Sequence, residues 1–252
     1  MNDIFSRNEL YWGKEGQKKL SESHIIVFGL GGVGGYCVEM LARAGIGELT
    51  LVDFDKVSVS NINRQIVALN STLGQEKTTL FEKRLKDINP EINVHLINDF
   101  YTESLNSILI GKNIDFIADA IDTIRSKVSL LEFAYTEKFP VISSFGAGNR
   151  VNPEGLYICD ISKIKNKKTP FISNIIHQLK LRNINEGIMV VTSDEKPMCQ
   201  NKILNTETVE TQRGEKIEYT KITPASTPFV ASAAGIFMAS HIVQELTKKK
   251  KK

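Results

Sequence analysis

Residues 25–35 read IIVFGLGGVGG, and this glycine-rich stretch decides the fold. A short apolar strand runs directly into a turn, and the helix-forming residues 36–44 follow it. The glycines predicted to form a nucleotide site are Gly29, Gly31, Gly32 and Gly34. Gly29 permits a tight turn after the strand, and Gly31 lets the backbone approach a phosphate. Gly34 lets the helix pack close to the strand. Free N–H groups at the start of the helix attract an anion, so the stretch predicts a nucleotide-binding turn.

A carboxylate follows at the distance expected for such a site. Asp53 ends the next apolar strand, about twenty residues past the glycines, where a carboxylate can bind ribose hydroxyls. Two other interpretations fit these features alone: a glycine-rich loop without a ligand, and a Rossmann oxidoreductase that binds NAD. The residues beyond the second strand favour phosphate chemistry over hydride transfer.

An arginine and several amides come soon after the acidic strand end. Arginine holds phosphate oxygens through a planar fork, which makes Arg64 a candidate for binding a polyphosphate. The side chains of Asn61, Asn63 and Gln65 are amides that can orient the same group. Arg64 taken alone could equally pair with an acid on the surface. The order of these residues after a nucleotide turn favours the binding role.

Two further charged residues extend this candidate site. Lys77 begins a predicted helix, where its ammonium group can meet a polyphosphate. Asp122 closes a strand at the edge where α/β folds bind ligands, and a carboxylate beside a polyphosphate commonly holds magnesium. Taken alone, Lys77 could be a solvated helix residue and Asp122 could cap the helix that follows.

Size and composition suit a globular α/β protein. The 252 residues, 41% hydrophobic and 24% charged, suffice for one large domain. No run approaches the eighteen or so apolar residues of a membrane span, and the first residues lack the pattern of a signal peptide. The three cysteines are widely spaced, so we expect a cytoplasmic protein without a disulfide framework. The net charge of +3 includes the lysine run 248–252, without which the chain carries −2.

Alternating strands and helices predict an α/β fold: a Rossmann-like, doubly wound, mostly parallel sheet with an irregular C-terminal extension. Strands are predicted at 25–28, 48–53, 93–97, 116–119 and 140–144, with later ones at 156–161 and 188–192. Helices are predicted at 5–20, 36–44, 75–88, 125–138, 171–182 and 229–246. The last of these is rich in small residues, which suits a helix packed in a core or at a subunit interface. The polar segment 196–221 is predicted to be a mobile loop or a hairpin.

The motifs in this chain resemble those of the ubiquitin-activating superfamily, which includes the bacterial ThiF and MoeB proteins. The resemblance rests on DFDKVSVSNINRQ at 53–65, LGQEK at 73–77 and DAID at 119–122. Such proteins adenylate a carboxylate with ATP and Mg²⁺ and release pyrophosphate. The resemblance implies one adenylating domain over 1–252, comprising a helical arm (1–20), a nucleotide-binding core (21–153), a substrate-side extension (154–247) and a lysine tail (248–252).

The same resemblance implies a role for each candidate residue. The implied contacts are Asp53 with the ribose, Asp55 near the magnesium or phosphates, Asn63, Arg64 and Lys77 with the triphosphate, and Asp122 with magnesium. Arg7 resembles an N-terminal arginine that reaches into the ATP site of the partner subunit. The resemblance therefore implies a homodimer whose sites are completed across the interface.

One branch of the superfamily is the most similar. ThiF and MoeB proteins usually carry two CxxC pairs that bind zinc, whereas this chain has no CxxC pair and predicts no zinc. Cys199 is the one candidate for a catalytic cysteine in a plausible loop, and an incidental thiol is the alternative. The segments at 7–20, 145–153 and 227–230 resemble the tRNA threonylcarbamoyladenosine dehydratases instead.

That resemblance implies a substrate and further partners. The substrate is a tRNA whose modified adenosine carries a carboxylate, which ATP activates as an acyl-adenylate before the same side chain closes a ring. A monovalent cation, Na⁺ or K⁺, is implied without identified ligands, and a sulfur-transfer partner, which some relatives have, is left open. The candidate RNA-binding surfaces are the basic cluster at 163–168, Arg182 and the lysine tail. The alternatives are an adenylyltransferase for a ubiquitin-like carrier protein or peptide, an NAD-dependent oxidoreductase, and a non-catalytic nucleotide-binding scaffold.

Overall fold

The computed structural model describes residues 4–109, 113–167, 169–198 and 203–248 of the chain. The strands are β1 (His24–Phe28), β2 (Glu48–Val52), β3 (Asn93–Ile97), β4 (Phe116–Asp119), β5 (Val141–Ser144), β6 (Leu156–Asp160), β7 (Met189–Ser193), β8 (Ile203–Glu210) and β9 (Lys216–Thr223). The helices are α1 (Ser6–Ser21), α2 (Gly34–Ala44), α3 (Lys77–Ile88), α4 (Asn106–Leu109), α5 (Ile124–Thr136), α6 (Pro170–Lys180) and α7 (Pro228–Thr247).

Seven strands form one sheet in the order β3-β2-β1-β4-β5-β7-β6. Every pair in it is parallel except β6 with β7, which is antiparallel. In the central strand, Ile26 lies opposite Thr50 on one side and Ile117 on the other. The predicted doubly wound α/β fold is confirmed, and the C-terminal extension itself supplies β6 and β7 to the sheet.

Helices cover both faces of the sheet, as the apolar composition of its central strand requires. All five residues of β1 are buried, and successive side chains point to opposite faces. Ile25 and Val27 belong to the core under α2, α3 and α7, whereas Ile26 and Phe28 belong to the core under α4, α5 and α6. Because the parallel strands all end at one edge, the loops after β1, β2, β4 and β5 meet there.

The first and last helices differ in part from the sequence prediction. α1 is interrupted at Gly13, whose backbone angles of φ 75° and ψ 173° are not helical, so the predicted single helix is kinked. The expectation that no segment is apolar enough for a membrane span was wrong by length and composition, because α7 passes that test with a mean hydropathy of 1.3. Its small residues pack against α2, where a Cβ on Gly235 would lie 2.2 Å from the Val33 carbonyl oxygen. It is therefore a core helix, one of the two predicted settings.

The polar segment after β7 forms a hairpin in its described part. β8 and β9 pair antiparallel in a separate two-stranded sheet, with Glu207 opposite Tyr219. The hairpin alternative of the prediction is confirmed for these residues. Cys199 and most of the lysine tail lie outside the described residues, as does Lys168.

Candidate active site

The glycine turn joins β1 to α2 at the carboxyl edge of the sheet. Gly29 has a φ of 83°, a left-handed conformation that favours glycine. A Cβ on Gly34 would lie 1.7 Å from the Gly29 carbonyl oxygen, which leaves no room for a side chain. The structure thus places a tight turn and a close helix–strand contact at the two glycines predicted to provide them.

The other two predicted glycines face neighbouring segments. A Cβ on Gly31 would have Gln65 Nε2 at 3.7 Å, an ordinary contact that leaves the backbone accessible. A Cβ on Gly32 would press at 3.2 Å against both Arg64 Cγ and Ala231 Cβ. The turn is therefore packed between the amide and arginine segment on one side and α7 on the other.

The Asp53 carboxylate fixes this turn to the end of β2. Its Oδ2 accepts a hydrogen bond from Leu30 N at 2.5 Å, and its Oδ1 accepts one from Asp55 N at 2.8 Å. Burial raises the pKa of Asp53, and the charge of Lys77 opposes that rise. Both oxygens already have backbone partners, so the predicted bond to a ribose would use their remaining lone pairs.

Lys77 is buried between two carboxylates rather than solvated. Its Nζ lies 2.7 Å from Asp55 Oδ2 and 3.8 Å from Asp53 Oδ1, and its side chain is only 3% exposed. A lysine ammonium has three N–H donors, so Lys77 can keep Asp55 and still donate to a phosphate. Asp55 is half exposed and stands at the mouth of the site.

Arg64 is held in a fixed orientation by its own loop. Its Nη1 donates to the Ser60 carbonyl at 2.8 Å and to Asn63 Oδ1 at 2.9 Å, while Asn63 Nδ2 donates to the Ser226 carbonyl at 2.9 Å. Asn61 Oδ1 accepts from Ser58 N at 3.1 Å. The two asparagines thus shape the loop, and the guanidinium is presented on it.

Gln65 contributes an unusual buried amide. It is 7% exposed, and its Oε1 has no hydrogen-bond partner within the described ranges. A buried oxygen without a partner is costly, by about 1–3 kcal/mol. Because Gln65 Nε2 lies beside Gly31, a nucleotide bound at the turn would meet this amide.

Asp122 and Arg64 come from separate loops and meet at the same edge. Asp122 is exposed in the turn between β4 and α5. Burial lowers the pKa of the Arg64 guanidinium, and the negative charge of Asp122 acts in the opposite direction. The two charges are therefore close enough to interact, as a site for a phosphate and its counter-ion requires.

A buried network behind Asp122 was missed in the sequence. Lys127 Nζ donates to Asp119 Oδ2 at 2.6 Å and to Ser143 Oγ at 2.9 Å, and the Ser143 hydroxyl donates to Asp119 Oδ2 at 2.6 Å. Lys127 and Asp119 are fully buried. Asp119 Oδ1 accepts from Ile121 N at 3.0 Å, so the network holds the turn that presents Asp122. A lysine on the apolar face of α5 was the available signal.

The β8–β9 hairpin brings an aromatic side chain to the site, which the sequence did not predict. The Tyr219 ring packs 5.5 Å from Phe100, whose ring lies 5.0 Å from Phe54. The Tyr219 hydroxyl donates to Glu207 at 2.7 Å. Burial raises its pKa, and Glu207 and more weakly Asp55 and Asp122 raise it further. The hydroxyl therefore lies within the electrostatic reach of the acids at the site.

The loop after β5 is tied down by an arginine. Gly146 and Asn149 have φ angles of 84° and 61°. Arg150, 5% exposed, donates to the carbonyls of Gly146 and, at 3.2 Å, of Glu195. Burial lowers its pKa, and Glu195 opposes this. The predicted glycine-rich loop is thus fixed at the carboxyl edge.

Arg7 lies far from the glycine turn of its own chain. The neighbouring Asn8 donates from Nδ2 to the carbonyl of Arg43, in the last turn of α2. α2 starts at the glycine turn and has 11 residues, a length of about 15 Å. Among the predicted site residues, Arg7 is therefore the one that the single chain does not bring to the site.

No three His, Cys, Asp or Glu side chains form a metal-binding group in the described parts of the chain. Magnesium bound with a nucleotide does not need such a group, because one or two carboxylates, phosphate oxygens and waters complete its shell. The exposed carboxylate of Asp122, beside the guanidinium of Arg64, fits that requirement.

Comparisons with known proteins agree with this geometry. Residues 5–252 match the ThiF family. The chain is 40% identical over 244 residues to the tRNA threonylcarbamoyladenosine dehydratase of Bacillus subtilis, covering 97% of this chain and 94% of that protein. The structure of Escherichia coli TcdA, a tRNA N6-threonylcarbamoyladenosine dehydratase, in complex with ATP superposes with a TM-score of 0.82 at 27% identity, covering 96% and 93% of the two chains. Molybdopterin-synthase adenylyltransferase of Salmonella typhimurium is 38% identical over 51% of each chain.

Proposed function

The chain belongs to the ThiF family, and we propose from this premise that it is an ATP-dependent tRNA dehydratase, which cyclises threonylcarbamoyladenosine by adenylating its carboxylate. The observation that carries the proposal is similarity over nearly the whole length of both proteins to a dehydratase of that name. The similarity to a molybdopterin-synthase adenylyltransferase stops at half of each chain, so activation of a carrier protein is the less supported alternative.

The reaction begins with a carboxylate, which is a poor electrophile because its leaving group would be oxide. An oxygen of the substrate carboxylate attacks the α-phosphorus of ATP, and pyrophosphate leaves. The product is an acyl-adenylate whose leaving group is AMP. A nitrogen or oxygen of the same side chain then attacks the acyl carbon, loses its proton and releases AMP. The net change in the nucleoside is the loss of one water.

Ring closure within one molecule needs no nucleophile from the enzyme. Intramolecular attack has a high effective molarity when the reacting atoms are well oriented. The enzyme's contribution is therefore activation and positioning. Cys199 has no role in this scheme, and it lies outside the described residues.

Charge stabilisation is the part that this chain's side chains can provide. Negative charge builds on the phosphates as pyrophosphate leaves, and preorganised cations stabilise it. Arg64 is such a cation, because Ser60 and Asn63 fix the orientation of its guanidinium before a ligand binds. Lys77 is the second, held in place by Asp55 beside the glycine turn.

Magnesium is proposed to accompany ATP at this site, with Asp122 as its protein ligand. Bound there, the ion would neutralise charge on the phosphates. Asp122 is held at the edge of the sheet by the Asp119 and Lys127 network, which fixes its turn without adding net charge. A monovalent cation is proposed from the family resemblance alone, and no ligands are assigned to it.

A homodimer is proposed because Arg7 cannot serve the site of its own chain. Arg7 lies on α1, whose neighbouring side chains Leu10 and Tyr11 are 76% and 83% exposed. Large exposed apolar side chains beside a functional residue suit a protein interface. In this proposal the partner's α1 brings its arginine to the triphosphate. A cytoplasmic location is inferred because the tRNA substrate is found there.

The proposal is tested by exchange of labelled pyrophosphate into ATP. We expect exchange that depends on tRNA carrying threonylcarbamoyladenosine and is absent with the same tRNA lacking the modification. Exchange driven instead by a carrier protein with a Gly-Gly tail would favour the adenylyltransferase alternative. ATP binding without exchange under either condition would indicate a non-catalytic scaffold.

A further inference from the structure

A groove of about 360 Å³ runs between α5 and α6 on one face of the sheet. It is lined by Ile124, Arg125, Val128, Asn174, Gln178 and Arg182. Four of these six side chains are polar and two are permanently cationic. Such a lining can bind an anionic, hydrogen-bonding ligand through its two cations and two amides.

The groove starts at the edge of the sheet where the active site lies. Arg125 is in the first turn of α5, three positions after Asp122. At the other end, Arg182 Nε donates to Glu132 Oε2 at 2.7 Å, about 10 Å further along α5. Asn174, Gln178 and Arg182 are spaced by four residues and so share one face of α6 and its end.

The two arginines present donors in different ways. Arg125 is exposed and has no hydrogen bond or ion pair within the described ranges. Arg182 is oriented by Glu132 through Nε and by Gln178, whose carbonyl and Oε1 lie 2.8 and 3.2 Å from Nη1. These bonds fix the plane of the guanidinium and leave the two Nη2 donors for a ligand.

We propose that this groove binds the sugar-phosphate backbone of the substrate tRNA next to the modified adenosine. Arginine forks match phosphate oxygens, and amides such as those of Asn174 and Gln178 bind sugar hydroxyls and base edges. Arg125 lies at one end of the groove and Arg182 at the other, so in this proposal they contact phosphates of different nucleotides and set the line along which the strand runs. The inference rests on the proposed function and adds where the RNA lies.

The described residues of the lysine cluster at 163–168 are a weaker candidate than the groove for binding the RNA phosphates. Lys165 Nζ lies 4.0 Å from Asp194 Oδ2 and 4.7 Å from the centre of the Tyr157 ring, and Lys167 donates to the Ser162 carbonyl. The charges of Lys165 and Lys167 are therefore partly engaged within the chain, as that of Arg182 is by Glu132, whereas Arg125 has no such partner among the described residues. The groove is therefore the stronger candidate for ordered phosphate contacts.

The test measures tRNA affinity as a function of salt for Arg125→Gln and Arg182→Gln. Fluorescence anisotropy with labelled tRNA should show binding weakened roughly 3- to 10-fold, and the slope of log Kd against log salt should fall by about 1 for each variant. KM for the modified tRNA should rise while kcat at saturating tRNA and the Kd for ATP stay unchanged. Lys180→Gln removes the same charge from an exposed position on the opposite face of α6, and it should match the wild type.

Weaker tRNA binding by Arg125→Gln could not be explained by misfolding, because the Arg125 side chain makes no hydrogen bond or ion pair with another described residue. If both variants keep the wild-type salt slope while the wild type turns over modified tRNA, the groove proposal is wrong and the proposed function stands. An equal loss in Lys180→Gln would likewise overturn it, because the effect would then be one of net charge. If the wild type neither binds nor converts the tRNA, both proposals fail.

Discussion

Replacing Lys127 by methionine tests the buried network behind the active site. Lys127 and Asp119 are fully buried with Nζ and Oδ2 at 2.6 Å, so the variant leaves a carboxylate without its cation in the core. Removing one partner of a buried pair costs about 3–5 kcal/mol, a large fraction of a typical free energy of unfolding of about 5–15 kcal/mol. Methionine has a similar length and no branch, so loss of packing contributes little.

The second variant in this experiment is Asp119→Asn/Lys127→Met. The oxygen of the new amide at position 119 can still accept a hydrogen bond from Ile121 N, and the NH₂ group of that amide can donate to the Ser143 hydroxyl. Because both charges are gone, the double variant should recover most of the lost stability. Urea unfolding followed by circular dichroism gives the free energies, and the cycle gives the coupling between the two residues.

The single variant Asp119→Asn should show how the ionisation of Lys127 makes the free energy of unfolding depend on pH. Burial already lowers the pKa of Lys127 in the folded protein, and Asp119 opposes this. Without Asp119 the folded pKa falls further below the unfolded value, so between the two values the unfolded state binds more protons. Stability should therefore rise with pH across that window, by about 1.4 kcal/mol per pH unit. A cost below about 1 kcal/mol for Lys127→Met, or no recovery in the double variant, would refute the reasoning.

Four further outcomes are expected. Arg64→Ala should lower kcat about 10²- to 10³-fold without moving the urea midpoint, whereas a loss of stability alone would make the residue structural. Gly34→Ala forces a Cβ to within 1.7 Å of the Gly29 oxygen, and should cost about 1–3 kcal/mol and weaken ATP binding; wild-type affinity for ATP would contradict the turn's role. Burial raises the pKa of the Cys37 thiol, so alkylation of Cys37 at mildly alkaline pH, located by peptide mass spectrometry, should follow unfolding, and rapid labelling of Cys37 in the native protein would contradict this. Arg7→Ala and Arg64→Ala subunits should each have very low activity alone and regain activity when mixed; a mixture no more active than either variant would contradict the shared site.

Local sequence patterns sufficed for the central elements of the fold. β3 and β4 lie at the predicted residues, because apolar runs bounded by turn residues leave little choice. The glycine turn was predictable because the GxGxxG spacing is a local pattern. The close contact at Gly34 shows why that position requires glycine. The kink at Gly13 was not, since a single glycine within a helical pattern is often tolerated.

The parts of the site that depend on distant contacts could not be predicted. Ser143 meets Asp119 across 24 positions, and Phe100 meets Tyr219 across 119 positions. Neither pairing leaves a local pattern, because the topology of the sheet and the hairpin brings the residues together. Arg64 and Asp122 could be identified as candidate site residues because the motifs that contain them resemble those of a known family. That the two charges lie near each other could be seen only in the fold.

The central claim is that this chain uses ATP to remove water from a modified nucleoside in tRNA. The most direct measurement is mass spectrometry of nucleosides from threonylcarbamoyladenosine-containing tRNA, incubated with ATP, Mg²⁺ and the purified full chain. The account predicts a nucleoside lighter by one water, one AMP for each nucleoside converted, and conversion slowed about 10²- to 10³-fold with Arg64→Ala. An unchanged nucleoside, or conversion that does not require ATP, would contradict it.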